Sequence, residues 1–132
     1  MRYLLDTNII SDFIRNPKGR VAKRIRSVGR QAVLTSVIVA AELRFGAAKN
    51  GSLQLESRVE EALQALEVVP FEPPADVTYA AIRARLERTG NSVGGNDLFI
   101  AAHALSLGCT LVTANEREFA RIENLIHENW LR

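Results

Sequence analysis

Hydrophobic and polar positions follow two recurring patterns along the chain. Short apolar runs, typical of buried parallel strands, occupy residues 1–5, 32–35, 68–71, 110–113 and, more weakly, 125–127. Between them, apolar residues recur with helical spacing at 8–14, 21–28, 37–48, 53–66, 77–88 and 98–107. Strands that alternate with helices pair in parallel. The pattern predicts an α/β fold with a central parallel five-stranded sheet flanked by helices.

Glycines and prolines lie where the predicted helices and strands end. Gly51, Gly90 and Gly108 each follow a helical stretch, and the pair Pro73-Pro74 stops the third strand. There is no internal repeat or linker, and 132 residues suit one domain. We therefore expect a single domain over residues 1–132.

Composition narrows the class of protein. Hydrophobic residues make up 47% and charged residues 24%, as in folded globular domains. Cys109 stands alone, so it can form no internal disulfide and is expected to pack as a small hydrophobe. Asp6 and Asp12 interrupt any signal-peptide pattern, and no apolar stretch is long enough for a membrane span. We expect a cytoplasmic protein with no membrane partner.

Basic residues are clustered although the net charge is only +2. Residues 18–30 contain six positive side chains and no negative one, among them Arg20, Lys23, Arg24 and Arg26. Such a run is either a solvated helix face or a surface that contacts phosphate groups.

Two of the four aspartates occupy special places. Asp6 directly follows the first strand, at the carboxyl edge where open α/β sheets bind ligands, although Asp is also a favoured helix cap. Asp97 opens the helix that leads into the fourth strand and shares an apolar stripe with Ile100, Ala101 and Ala104. Helices in such folds run antiparallel to the strands, so Asp97 is expected beside Asp6.

Other oxygen-bearing side chains fall near the same edge. Glu42 lies in the apolar stretch 37–48 and can reach back toward the helix start, or else is a surface glutamate. The remaining candidates follow the first and fourth strands and could equally be caps or solvated residues: Thr7, Asn8, Thr113, Asn115 and Glu118.

Converging carboxylates favour a metal ion. They repel one another and lose solvation, so without a cation their pKa values rise or they splay apart. An all-oxygen donor set suits Mg²⁺ or Mn²⁺ rather than zinc. His103 lies too far along its helix to join, and His127 has no assigned role. A hard divalent cation would remove the conflict between these carboxylates.

Four motifs in order resemble the PIN-domain ribonucleases, in particular the VapC toxins of bacterial and archaeal toxin–antitoxin pairs. The motifs are Leu4-Leu5-Asp6-Thr7-Asn8, Ser36 with Ala41-Glu42-Leu43 and Gly46, Gly94-x-x-Asp97-x-x-Ile100-Ala101-Ala102-His103-Ala104, and Leu111-Val112-Thr113-x-Asn115-x-x-Glu118-Phe119. The resemblance covers the chain from about Tyr3 to Phe119 and implies a three-layer PIN-like sandwich, a homodimer, and Mg²⁺- or Mn²⁺-dependent endonuclease cleavage of RNA.

The resemblance also implies roles for individual residues. Asp6, Glu42 and Asp97 match the family's three acidic metal-site positions, where one or two cations would activate water for attack on a phosphodiester. Many members carry Asp where this chain has Asn115, so Glu118 or a water would complete the metal shell. The segments around Asp97 and Asn115 are similar to those of members that cut initiator tRNA in its anticodon stem-loop. An implied partner is a VapB-type antitoxin whose C-terminal segment covers the groove.

Two other classes of protein could also have acidic residues at the carboxyl edge of a parallel sheet. A phospho-receiver domain needs a Lys after its last strands, and the only lysines are Lys18, Lys23 and Lys49, which disfavours it. A non-catalytic nucleic-acid-binding or interaction module that keeps the fold, with its acids acting as caps, remains open. Metal-dependent RNA cleavage separates this module from an enzyme.

Overall fold

The apolar runs and helical stretches form five strands and seven helices in the computed structural model, which describes residues 1–132. The strands are β1 (Tyr3–Leu5), β2 (Val33–Ser36), β3 (Glu67–Val69), β4 (Thr110–Val112) and β5 (His127–Glu128). The helices are α1 (Thr7–Arg15), α2 (Arg20–Val28), α3 (Val37–Asn50), α4 (Leu53–Gln64), α5 (Ala75–Arg88), α6 (Gly95–Leu107) and the short α7 (Glu116–Phe119). A 3₁₀ turn at Arg30–Ala32 leads into β2.

All five strands pair in parallel, in the order β3-β2-β1-β4-β5. The chain runs outward from β1 through β2 to β3, and then returns to place β4 on the other side of β1. Leu4 is accordingly in register with Leu34 on one side and with Leu111 on the other. The carboxyl ends of β1 and β4 therefore flank the topological switch point, where such sheets open a crevice for ligands.

The central strands are buried on both faces. Every residue of β2 and β4 is buried, although successive side chains point to opposite sides of the sheet. Helices therefore cover both faces, which confirms the expected three-layer arrangement. Cys109 packs in this core as predicted. Trp130 is also a core residue, with its ring centroid 5.2 Å from that of Tyr3.

The structure corrects several predicted boundaries. Strand β3 ends at Val69 because Pro70, which follows it, has no N–H for a ladder hydrogen bond. Strand β5 shares only His127 with its predicted run, since Asn124 takes a positive φ of 69° and Leu125 turns into the core. Helix α6 begins at Gly95, so Asp97 lies within its first turn rather than at its start.

The helix ends at Gly51 and Gly108 are confirmed, and both glycines adopt the left-handed conformation that closes a helix. No helix of the protein is long and apolar enough to cross a membrane.

Candidate metal centre

Asp6 serves two purposes at the carboxyl end of β1. It caps α1, because its Oδ1 accepts a hydrogen bond of 2.7 Å from the Thr7 amide, and its Oδ2 accepts one of 2.7 Å from the Thr113 hydroxyl. Only 4% of the residue is exposed. Burial raises the pKa of Asp6, and the bonds from Thr113 and Thr7 lower it in part. The cap and the site are therefore one residue rather than alternatives.

Asp97 is brought against Asp6 by the first turn of α6. Its Oδ2 accepts a hydrogen bond of 3.2 Å from the Asn115 amide. Burial, followed by the negative charges of Asp6 and Glu118, raises the pKa of Asp97 to about 7. Asp6 and Asp97 line the same cleft, as their places at the carboxyl edge of the sheet predict.

Glu42 reaches the same place from the second turn of α3. The Thr7 hydroxyl donates to its Oε1, and the Asn96 amide donates to its Oε2 over 3.0 Å. Its negative charge contributes to the raised pKa values of Asp6 and Asp97. Glu42 is thus part of the cluster and not a separate surface residue.

Asn115 and Glu118 contact Asp97 and the segment that precedes α6. The Asn115 amide donates to Glu118 Oε2 over 2.7 Å as well as to Asp97. Glu118 Oε1 accepts a bond of 2.6 Å from the Gly94 backbone amide, and this bond is the main reason that the pKa of Glu118 is lowered. Glu118 therefore anchors the segment that leads into α6.

Asp6, Glu42, Asp97 and Asn115 meet at one cleft of about 680 Å³. It is lined by Asp6, Thr7, Asn8, Ile38, Ala41, Glu42, Phe45, Asn96, Asp97 and Asn115. No three Asp, Glu, His or Cys side chains form a ready-made metal cage, since hydroxyl and amide groups hold the carboxylates in separate hydrogen-bonded sets. Like charges in a poorly solvated cleft are expected to separate in this way.

The donor set fits a hard divalent cation. Carboxylate, hydroxyl and amide oxygens face the cleft, and no sulfur or imidazole does. A positive charge there would stabilise the ionised forms of Asp6 and Asp97, whose pKa values burial raises.

Comparison with known proteins shows which family the chain belongs to. The PIN domain family matches residues 3–125. The chain belongs to the PIN-domain family. It is 38% identical to Ribonuclease VapC2 of Rickettsia felis and 34% identical to the tRNA(fMet)-specific endonuclease VapC of Shigella flexneri, with 98% of both chains covered in each case.

The solved structures place the chain in the same branch of the family. The VapBC2 complex of Rickettsia felis, bound to a DNA fragment from its promoter, matches with a TM-score of 0.90 and 37% identity over 98% of this chain and 99% of the other. The resemblance read from the four motifs is confirmed: this PIN-domain protein is of the VapC ribonuclease toxin type. PIN-domain ribonucleases generally use divalent metal ions.

The predicted RNA-binding residues of this PIN domain lie away from the cleft. Arg20, Lys23, Arg24 and Arg26 are all exposed on α2, and none lines the acidic cleft. Arg24 has internal partners, because its guanidinium lies 5.1 Å from the centre of the Trp130 ring and 3.3 Å from Glu128. The other three form no ion pair.

The sequence did not single out three groups that the structure places at or beside the site. Asn96 binds Glu42, the Gly94 backbone amide binds Glu118, and Arg15 lines a neighbouring groove together with Thr7 and Glu42. Asn96 stands directly before Asp97, and this adjacency was the available signal. A backbone amide carries no side-chain signal at all.

Proposed function

We propose that this VapC-type PIN domain is a Mg²⁺- or Mn²⁺-dependent endoribonuclease whose metal ligands are Asp6, Glu42 and Asp97. The observation that carries the proposal is the meeting of three carboxylates from β1, α3 and α6 at the sheet's switch point, with the pKa of Asp97 raised to about 7. Such crowding destabilises the site unless a cation occupies it. The non-catalytic alternative gives no reason for it.

The chain's own groups orient these ligands. Thr113 and the Thr7 amide fix both oxygens of Asp6, and Asn96 and the Thr7 hydroxyl fix both oxygens of Glu42. Asn8 lines the entrance to the cleft, and Asn115 supplies an amide beside Asp97. A divalent cation held there would supply the positive charge that activates a water molecule and stabilises the departing oxygen.

The hydrogen bonds of Glu118 favour a positioning role. Both of its oxygens already accept hydrogen bonds, from Gly94 and from Asn115. We infer that Glu118 fixes the start of α6, and that the oxygen of Asn115 or a water completes the metal shell.

The proposed substrate is structured RNA, in particular initiator tRNA cut in the anticodon stem-loop. The support is the 34% identical Shigella flexneri relative, which is named for tRNA(fMet). Arg20, Lys23 and Arg26 form an exposed basic face on α2 that would hold RNA phosphates. Arg24 is a weaker candidate because Glu128 and Trp130 occupy its guanidinium.

The proposed partners are a VapB-type antitoxin and a second copy of this chain, acting in the cytoplasm where tRNA is found. The relative from Rickettsia felis is a VapBC complex, which supports the antitoxin. A bound antitoxin that places a basic side chain among the acids would neutralise the cleft as a metal does.

Cleavage of purified initiator tRNA in Mg²⁺, Mn²⁺ or EDTA tests the proposal, with sequencing of the RNA ends. We expect cuts in the anticodon stem-loop that EDTA abolishes. Glu42→Gln should lose cleavage, whereas Glu61→Gln should not, since Glu61 is an exposed glutamate of α4 without an ion pair. Cleavage that persists in EDTA would contradict the metal role, and tight RNA binding without any cleavage would favour the non-catalytic module.

A further inference from the structure

His103 is a buried polar side chain outside the acidic cleft. It lies on α6 with 1% of its surface exposed, and its ring meets the edge of the Phe71 ring at a centroid distance of 5.2 Å. A buried imidazole costs free energy unless its nitrogens are hydrogen-bonded, and an apolar residue would fill this position at a lower cost. The hydrogen bonds of His103 are therefore its distinguishing property.

A chain of hydrogen bonds runs through this ring. His103 Nδ1 lies 2.7 Å from the Ser36 hydroxyl, which also accepts a bond of 3.0 Å from the Ile38 amide. The ring bonds the backbone of Pro70, which offers only a carbonyl because proline has no N–H. Burial is the main cause of the lowered pKa of His103 and favours the neutral ring. A neutral ring that donates to Pro70 can accept the Ser36 hydroxyl hydrogen at Nδ1.

These partners belong to the elements that carry the proposed metal ligands. Ser36 ends β2 and caps α3, the helix of Glu42. His103 lies on α6, the helix whose first turn contains Asp97. The His103–Ser36 bond therefore connects α6 to the start of α3, through residues that do not line the cleft.

Only one other side-chain hydrogen bond joins α3 to α6. It runs from Asn96 to Glu42 at the cleft itself and is exposed to water. An exposed bond exchanges readily with water, whereas a buried one in a low dielectric is stronger and more strictly oriented. Of these two hydrogen bonds, the buried one therefore constrains the spacing of Glu42 from Asp97 more strictly.

We propose that His103 and Ser36 form a positioning pair that sets the distance between Glu42 and Asp97 and so the affinity of the site for its divalent cation. Neither residue contacts the cation or the RNA. The inference rests on the proposed metal-dependent function.

Leu and Asn at position 103 separate positioning from packing because their side chains have nearly the same shape. His103→Asn keeps a polar group where Nδ1 stands, and His103→Leu removes it while suiting the apolar core. Mn²⁺ affinity is measured by calorimetry, kcat and KM for RNA are measured separately, and thermal unfolding is followed in EDTA. We expect His103→Leu to unfold at or above the wild-type temperature, to bind Mn²⁺ about tenfold more weakly, and to lose kcat with little change in KM. His103→Asn should recover most of the affinity.

Ser36→Ala removes the same bond from the other side, together with the cap on the Ile38 amide, and must show at least the loss of Mn²⁺ affinity expected for His103→Leu. Wild-type affinity in Ser36→Ala therefore overturns the positioning role even if His103→Leu does not fold. Ser106→Ala is the matched control, since Ser106 lies on the same helix and donates only to the backbone carbonyl of His103. Its Mn²⁺ affinity and kcat should remain unchanged.

Wild-type Mn²⁺ affinity in folded His103→Leu or Ser36→Ala would overturn the positioning role and leave the proposed function standing. Losses that only track unfolding temperature, with Asn no better than Leu, would overturn it as well. Failure of the wild type to bind Mn²⁺ would overturn the proposed function, and the positioning role with it.

Discussion

Helices α5 and α6 begin alike and end up with different roles. Each carries an aspartate in its first turn, Asp76 in α5 and Asp97 in α6. Asp76 is exposed and has no side-chain partner, whereas Asp97 is half-buried beside Asp6 and Glu118 with its pKa raised to about 7. Helix α5 follows the edge strand β3, and α6 begins beside the switch point between β1 and β4. The same local signal therefore becomes an exposed charge at a helix start or a site residue according to its place in the topology.

The largest expected difference between the two aspartates is in catalysis. Asp97→Asn should lower kcat for RNA cleavage by at least about 100-fold, more than the loss of a residue that only orients a metal ligand. Asp76→Asn should leave kcat unchanged, since nothing connects Asp76 to the cleft. Cleavage assays at saturating Mn²⁺ measure both, with circular dichroism to verify folding. Equal activity of the two variants would remove the distinction.

The second effect concerns the neighbour that orients Asp6. Thr113→Val keeps the shape of the side chain and removes the hydroxyl that donates to Asp6 Oδ2. Partners that orient a ligand typically contribute a factor of about 10 to 100 in metal affinity. We expect Mn²⁺ binding, measured by calorimetry, to weaken by about that factor. Unchanged affinity would show that burial and the Thr7 amide hold Asp6 in place without the Thr113 hydroxyl.

The third effect is a gain in stability when Asp97 is lost. Its raised pKa means that the folded state favours the protonated acid, so stability falls as the pH rises from the unfolded value of 3.8 to about 7. Asp97→Asn should raise the free energy of unfolding of the metal-free protein by about 1–2 kcal/mol at about pH 8, after allowance for the half-open site. At about pH 4 the gain should vanish.

Urea unfolding in EDTA at the two pH values measures this effect. A gain in the free energy of unfolding of equal size at both pH values would show that it comes from packing rather than from charge. Saturating Mn²⁺ should reverse the order of stability, because only the wild type retains the full ligand set.

The smallest expected effect is a loss of stability in the Asp76→Asn variant. Asp76→Asn removes a negative charge from the positive end of the α5 dipole without relieving any crowding. We expect it to lower the free energy of unfolding by about 0.3–1 kcal/mol in low salt, and less at high salt. Urea unfolding at two ionic strengths checks this. A stabilised Asp76→Asn variant would mean that Asp76 is under strain like Asp97.

The meeting of Asp6 and Asp97 could be predicted because it follows from chain topology. Parallel strands end at one edge, and the apolar pattern marked each strand end closely enough to place both residues there. The position of the Glu42 side chain is harder to predict, since it depends on how far the side chain reaches back along its helix.

Other features depend on contacts that no local pattern records. The bond between His103 and Ser36 joins residues 67 positions apart, and its value comes from burial that appears only on folding. The Gly94 amide gains its importance from Glu118, which a different loop delivers. Strand β5 was misplaced because a strand of two residues is too short to show alternation.

The cap made by Asp6 has a practical consequence. Asn caps a helix about as well as Asp, so Asp6→Asn keeps the bond from the Thr7 amide while removing the charge from the cleft. That variant should yield a folded, harmless protein that cells tolerate at high expression. It could be used to capture intact RNA and the antitoxin. It differs from the toxic form by one non-hydrogen atom.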